Sequence, residues 1–323
     1  MIKKIFLHDT SILTNNLGDQ IIMDAVQKEL KSTISNSFFI NAPTHDYLGK
    51  EAYNELKALP YSFVGGTNLL SGNMNKYNQW KINIATIGKV KNAILMGVGW
   101  WQYQKDINRY TKFLLKNVLS DSYIHSVRDS YTKEKLESIG IHNVINTGCM
   151  TLWQLNESHC ASIPQAKSDE VVMTFTDYKP SLKYDTQLFD VAKKNYKKIY
   201  VWIQGEGDYR YLKDLLGDSV EFIAPSLQAY DELLSDTSKN LDYVGTRLHA
   251  GVRAMQHKRR TIIVSVDNRA TEMGKDFNLP VIERLHIEEA LDKKINSDFA
   301  IKIELPHENI QQWKAQFQTK QES

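Results

Sequence analysis

The chain has 323 residues, of which 42% are hydrophobic and 24% charged, and its formal net charge is +2. That length exceeds one ordinary core and suits two α/β domains, and the composition excludes a disordered chain. Near-neutral charge excludes general nucleic-acid binding, so any anion site must be local. The opening run Met1–His8 is broken by His8 and Asp9 and lacks the apolar stretch of a secretory signal. No apolar stretch is long enough to cross a bilayer, and these features predict a soluble cytoplasmic protein without a transmembrane segment. Cys149 and Cys160 lack the paired spacing of a metal site, and a disulfide between them stays open.

Lys4–His8 reads as a buried strand, Asn15–Asp19 as a turn, and Ile21, Ile22, Ala25, Val26 and Leu30 recur at helical spacing. Tyr61–Val64 predicts a second strand running into Gly65-Gly66-Thr67-Asn68, and Asn92–Met96 a third running into Gly97-Val98-Gly99. His125–Val127 predicts a strand followed by Arg128-Asp129 and a helix through Leu136, and Val144–Asn146 a strand ending at Gly148. Residues 156–169 are polar, contain Pro164 and show no periodicity. They read as an interdomain linker, giving domains at 1–157 and 168–323 joined by 158–167. The strand–helix rhythm then restarts at Val171–Phe175, Lys198–Ile203, Val220–Ile223, Leu241–Val244 and Thr261–Val266. A helix is expected near Ser226, another over Ala250–Met255, and a last one around Trp313 and Phe317. Repeated strand–turn–helix units predict an α/β protein with two doubly wound domains facing a cleft, with ligands beyond the carboxyl ends of the strands.

The segment Gly245-Thr246-Arg247-Leu248-His249-Ala250-Gly251 carries the strongest chemical signal. A strand ends and a helix opens on Arg247 and His249, where free backbone N–H groups and the helix dipole favour anions. Arginine offers a planar fork for phosphate or carboxylate, and histidine exchanges a proton near neutral pH. The alternative is that His249 packs under the helix and Arg247 makes an interdomain ion pair. Arg128 stands just beyond a strand and could hold a second anionic group. A local pair with Asp129, and a helix cap from Asp129 or Ser130, is the competing assignment.

The turns with Asn16, Gly18 and Asp19, with Gly65, Gly66 and Thr67, and with Gly97 let backbone approach a ligand, yet none has phosphate-loop or dinucleotide spacing. In Gln204-Gly205-Glu206-Gly207-Asp208 the carboxylates could orient a sugar hydroxyl, though such residues are more often solvated turn formers. Trp100, Trp101 and Tyr103 could stack on a sugar, with core packing at least as good an explanation. The nine histidines include no HxH or HxxxH pattern, and there is no GxSxG elbow.

Taken together, these pieces resemble the polysaccharide pyruvyl transferase family. They are Asn16-Leu17-Gly18-Asp19, the Gly65-Gly66 and Gly97-Val98-Gly99 turns, Ser126-Val127-Arg128-Asp129 with its helix ending at Gly140, and Gly245-Thr246-Arg247-Leu248-His249. They follow the family's order across most of the chain, and the Arg-Leu-His and Val-Arg-Asp elements are the specific ones. The resemblance implies Rossmann-like domains similar to GT-B glycosyltransferases, with phosphoenolpyruvate as donor and no metal or other cofactor. The product would be a ketal on two hydroxyls of a cell-surface glycan or a lipid-linked oligosaccharide acceptor, which leaves room for contact with the inner face of the membrane. Arg247 and His249 would take the donor and catalytic positions, with Arg128 on the donor. One departure is Cys149, where many members carry an acidic residue after the glycine that follows the fifth strand. A nucleotide-sugar glycosyltransferase using the same site, and a non-catalytic partner in glycan assembly, are the competing functions.

Overall fold

The computed structural model describes residues 2–217 and 219–318. Its elements begin with β1 (Lys3–Asp9), α1 (Leu17–Thr33), β2 (Ser37–Pro43), α2 (Lys50–Lys57), β3 (Ser62–Gly65), β4 (Ala93–Met96), α3 (Arg109–Val118), β5 (His125–Val127), α4 (Ser130–Glu137) and β6 (Val144–Asn146). After α5 (Glu157–Ala161) come β7 (Glu170–Thr174), α6 (Leu182–Asn195), β8 (Lys198–Trp202), α7 (Asp208–Leu216), β9 (Glu221–Ile223) and α8 (Leu227–Ser235). The chain continues with β10 (Leu241–Gly245), α9 (Leu248–Gln256), β11 (Thr261–Ser265), α10 (Asn268–Phe277), β12 (Val281–Glu283), α11 (Asp292–Ile295) and α12 (His307–Ala315).

The chain divides into two compact units, one of Met1–Thr14, Ile22–Met150 and Leu305–Ser323, the other of Asn15–Ile21 and Thr151–Glu304. In the first, all strand pairs are parallel and run β2-β1-β3-β4. The parallel pair β5-β6 lies beside β4 through the Val98–Val127 bridge. The order 2-1-3-4-5 is that of a flavodoxin-like doubly wound sheet, whose chain reverses direction across the sheet between its first and third strands. Its core gathers Phe6, Val64, Leu95, Leu115 and Val127.

In the second unit the parallel sheet runs β9-β8-β7-β10-β11-β12. In chain order this is 3-2-1-4-5-6, the Rossmann arrangement, with its switch point between β7 and β10. Strands buried on both faces read as continuous apolar runs, as Val171-Val172-Met173 and Thr261–Val264 do. Their side chains pack with Leu188, Ile199, Val201, Leu212 and Ile287.

Three departures from the sequence reading have physical causes. The tail was expected within the C-terminal domain, but it groups with the N-terminal unit. Trp313 packs on Phe63, and Phe317 packs on Phe63, Tyr61 and Tyr123, so a large aromatic cluster overrides chain proximity. The segment Asn15–Ile21 likewise groups with the second unit. The expected linker carries α5, started by Asn156, whose side chain accepts from the His159 amide. Both cysteines are buried, and neither forms a disulfide among the described residues.

Candidate active site

The switch point of the second unit brings Thr174–Tyr178, after β7, beside Gly245–Arg247, after β10. Ligands of such sheets bind at this place, because adjacent strand ends lead to opposite faces and leave a crevice. Arg247 is the N-cap residue of α9, and its side chain does not cap the helix but turns to the β7 end. Its Nε donates to the Phe175 carbonyl at 2.8 Å, and Nη2 donates to Asp177 Oδ1 at 2.8 Å and to Asp208 Oδ1. Its guanidinium carbon lies 5.2 Å from the centre of the Tyr178 ring.

Asp208 opens α7, and both its oxygens are engaged. Oδ2 accepts from the amides of Gly205 at 2.7 Å and Gln204 at 3.2 Å, while Oδ1 takes Arg247 and the Asp177 amide. The solvated-turn assignment therefore fails for this residue, whose carboxylate is buried and locks the loop to Arg247. Burial pushes its carboxyl above the usual range, and the Arg247 charge opposes that shift.

The expected Asn16, Gly18 and Asp19 belong to this same unit. Asn16 bridges Gly205, the Leu17 amide donates to the Gln204 carbonyl at 2.9 Å, and Gln204 Nε2 donates to Asn16 Oδ1 at 2.7 Å. The Gly18 amide donates to the same Asn16 oxygen. The first turn of α1 is thus pinned to the loop that holds Asp208, and through it to Arg247.

His249 is buried one residue into α9. Three residues that sequence reasoning did not assign to the site, Tyr178, Asp267 and Arg269, complete the surroundings. Arg269, at the start of α10, holds Asp267 Oδ2 through Nε at 3.0 Å and also donates to the Tyr178 hydroxyl. Its guanidinium carbon lies 5.6 Å from the Tyr178 ring centre, so the two arginines share one aromatic neighbour. Asp267 and Tyr178 both follow strand ends, which was the available signal, but they form no named motif.

In the first unit the loops after β3, β4 and β5 meet. A Cβ on Gly66 would lie 2.2 Å from the Gly97 carbonyl oxygen, so only glycine allows this approach. The Gly97 amide donates to the Ser126 carbonyl, and the Gly99 amide to that of Thr67. Gly65 ends β3 itself. Arg128 is 1% exposed; its Nε donates to Asp129 Oδ2 at 3.1 Å and its Nη1 to Asn68 Oδ1 at 2.9 Å. Asp129 caps α4 through Oδ1, which accepts from the Thr132 amide and hydroxyl. The local ion pair and the cap foreseen for Asp129 are both present. Trp100 is buried, Trp101 stacks on Tyr77 with ring centres 3.7 Å apart, and Tyr103 is exposed against Tyr131.

Two buried histidines sit on strands of this unit, His8 on β1 and His125 on β5. The His125 Nδ1 accepts from the Leu95 amide and its Nε2 faces the Ser120 carbonyl, which sets the tautomer. Burial pushes its pKa down to about 4, and that of His8 down to about 3. Among the described residues, no group of three or more His, Cys, Asp or Glu side chains could hold a metal ion, and no helix is long and apolar enough to cross a membrane.

Residues 16–268 match the family model described as polysaccharide pyruvyl transferase. Among solved structures, the chain is similar to the UDP-GlcNAc 2-epimerase of Methanocaldococcus jannaschii in complex with UDP-GlcNAc and UDP. That match has 14% identity and a TM-score of 0.53 and covers 95% of each chain. It is also similar to an S. aureus MnaA–UDP co-structure, at 12% identity and a TM-score of 0.51 over 93% of this chain and 92% of that one. At such identities the likeness concerns the fold, which is of the GT-B glycosyltransferase and epimerase type. A comparison with curated proteins found no match.

Proposed function

The chain belongs to the polysaccharide pyruvyl transferase family, and on that premise we propose that it moves a pyruvyl group from phosphoenolpyruvate to two hydroxyls of a glycan sugar. The observation that carries this reading is Arg247, fixed at the switch point by Phe175, Asp177 and Asp208, one residue before the first turn that contains His249. Nη1 of Arg247 makes no hydrogen bond among the described residues, so the guanidinium keeps an arm for an anionic donor. The partly exposed Asp177 is the carboxylate that a donor oxygen would displace, while the buried Asp208 stays in place.

The donor methylene carbon gains a proton and becomes a methyl group. Both sugar hydroxyl oxygens bond to the central carbon, whose bond to the phosphate oxygen breaks. Of the two hydroxyl protons, one replaces the proton delivered to carbon and the other leaves with phosphate. His249 acts as the acid toward the methylene and then as the base toward a hydroxyl. Arg247 and Arg128 bind the donor's anionic groups and stabilise the departing phosphate. Asn16, Gly18, Asp19, Gly65, Gly66, Thr67 and Gly97 line the donor and acceptor subsites in this reading, and Asp208 serves them by holding Arg247. The chemistry requires no metal or other cofactor. The acceptor is a cell-surface glycan or its lipid-linked precursor, met in the cytoplasm or at the inner face of the membrane.

The test is to incubate the protein with phosphoenolpyruvate and a set of glycan acceptors, following phosphate release and the acceptor mass. Phosphate release matched by a ketal on the acceptor is expected. Transfer of a sugar from a nucleotide sugar, with no ketal, would replace this reading by the glycosyltransferase one.

A further inference from the structure

Arg128 is almost wholly buried, yet its three donor positions are treated differently. Nε is fixed by Asp129 and Nη1 by Asn68, while Nη2 is buried without a partner in the protein. A buried N–H left without an acceptor is unfavourable, and a charged one more so, which makes Nη2 a place where an acceptor oxygen would be strongly stabilising. The guanidinium also lies flat against Gly99. A Cβ there would stand 2.2 Å from both Cζ and Nη2, so the guanidinium can take this position only because residue 99 has no side chain. Asp129 is itself immobilised as the α4 cap, which fixes one edge of the guanidinium rigidly. The opposite edge depends on Asn68, which is only partly buried and sits on the loop that follows β3.

We propose that Asn68 is a positioning residue for anion binding, holding Nη1 of Arg128 so that Nη2 presents its N–H groups to a carboxylate or phosphate oxygen. A neutral amide suits this role. Its carbonyl oxygen orients the guanidinium without cancelling its charge, whereas a second carboxylate beside Asp129 would neutralise the arginine and repel the ligand. The proposal rests on the reading of Arg128 as a donor-binding residue. It goes further by assigning the open arm and the residue that opens it.

The experiment compares wild type with Asn68→Ala and Asn68→Asp. Affinities for phosphoenolpyruvate, inorganic phosphate and a nucleotide sugar are measured by calorimetry, with melting temperature and, for an active donor, KM and kcat alongside. Loss of one oriented charge-assisted hydrogen bond should weaken anion binding by about ten- to a hundred-fold in Asn68→Ala, with the loss in KM rather than kcat. Asn68→Asp should bind anions more weakly still, although its geometry is kept. A purely structural Asn68 would lower the melting temperature and leave the affinity of the folded protein unchanged. Unchanged or tighter anion binding in Asn68→Ala overturns the inference while leaving the donor assignment standing. If the wild type binds phosphate or a nucleotide sugar but not phosphoenolpyruvate, and Asn68→Ala weakens that binding, the donor assignment falls and the inference holds. Wild type that binds none of the three overturns both.

Discussion

Arg247 and Asp208 form an ion pair in which both partners are withdrawn from solvent, their side chains 4% and 1% exposed. Asp177 holds the same arginine nitrogen from a position that is 28% exposed. The two carboxylates therefore should not contribute equally. Removing Asp208 leaves a buried cation short of its main partner, at a cost of about 3–5 kcal/mol. Removing Asp177 resembles loss of a surface pair, worth about 0–1 kcal/mol. Asp208→Ala is thus expected to lower the denaturant midpoint clearly and Asp177→Ala barely. Equal effects in urea titrations would show that the Arg247–Asp208 ion pair is not the one that orders the loop.

His249 separates a chemical role from a packing role. His249→Gln should keep the melting temperature near wild type and lose turnover by about a hundred- to ten-thousand-fold, the usual contribution of a positioned acid–base group. Donor affinity should fall less, since the arginines remain. Near-normal turnover in a stable variant would remove His249 from the mechanism. An unstable variant whose folded fraction is fully active would assign it to the core.

His8 and His125 should make the protein acid-sensitive. In the unfolded chain both have pKa values near 6.5, whereas burial pushes them down to about 3 and about 4 in the folded state. Between these limits the unfolded state binds protons that the folded state does not, so stability falls as pH falls. The loss begins below about pH 6.5. It runs to about pH 4 for His125 and about pH 3 for His8. Each histidine steepens the decline by up to about 1.4 kcal/mol per pH unit within its window. Urea unfolding of wild type and His8→Gln at pH 6 and pH 4.5 should show the smaller decline in the variant. Parallel declines would mean that His8 takes up its proton in the folded state.

What the sequence revealed followed from local physics, and what it hid did not. The strand ends at Met96 and Val127, and to within one residue those at Gly65 and Gly245, were legible because short apolar runs stop at glycine or charge. The helix from Ser226 was legible because that serine accepts from the Ala229 amide as its cap. Strand β2 was missed because Ser37–Pro43 lies at the sheet edge, half-exposed and ending in proline. The placement of α12 was missed because only the three-dimensional meeting of Trp313 and Phe317 with Phe63 decides it. Arg247 and His249 in the second unit, and Arg128 in the first, were visible as motif residues. Asp177, Tyr178, Arg269 and Asn68 were not, because each gains meaning only through a partner dozens of positions away.

The most direct measurement is a calorimetric titration of phosphoenolpyruvate, and separately of nucleotide sugars, into wild type and Arg247→Lys. A lysine keeps the charge but cannot grip Phe175, Asp177 and Asp208 while offering a further arm to the donor. The expected result is saturable binding of phosphoenolpyruvate to wild type, weakened about ten-fold or more in Arg247→Lys, as for loss of one charge-assisted hydrogen bond. Failure of wild type to bind phosphoenolpyruvate, with saturable binding of a nucleotide sugar instead, would contradict the assignment of the donor.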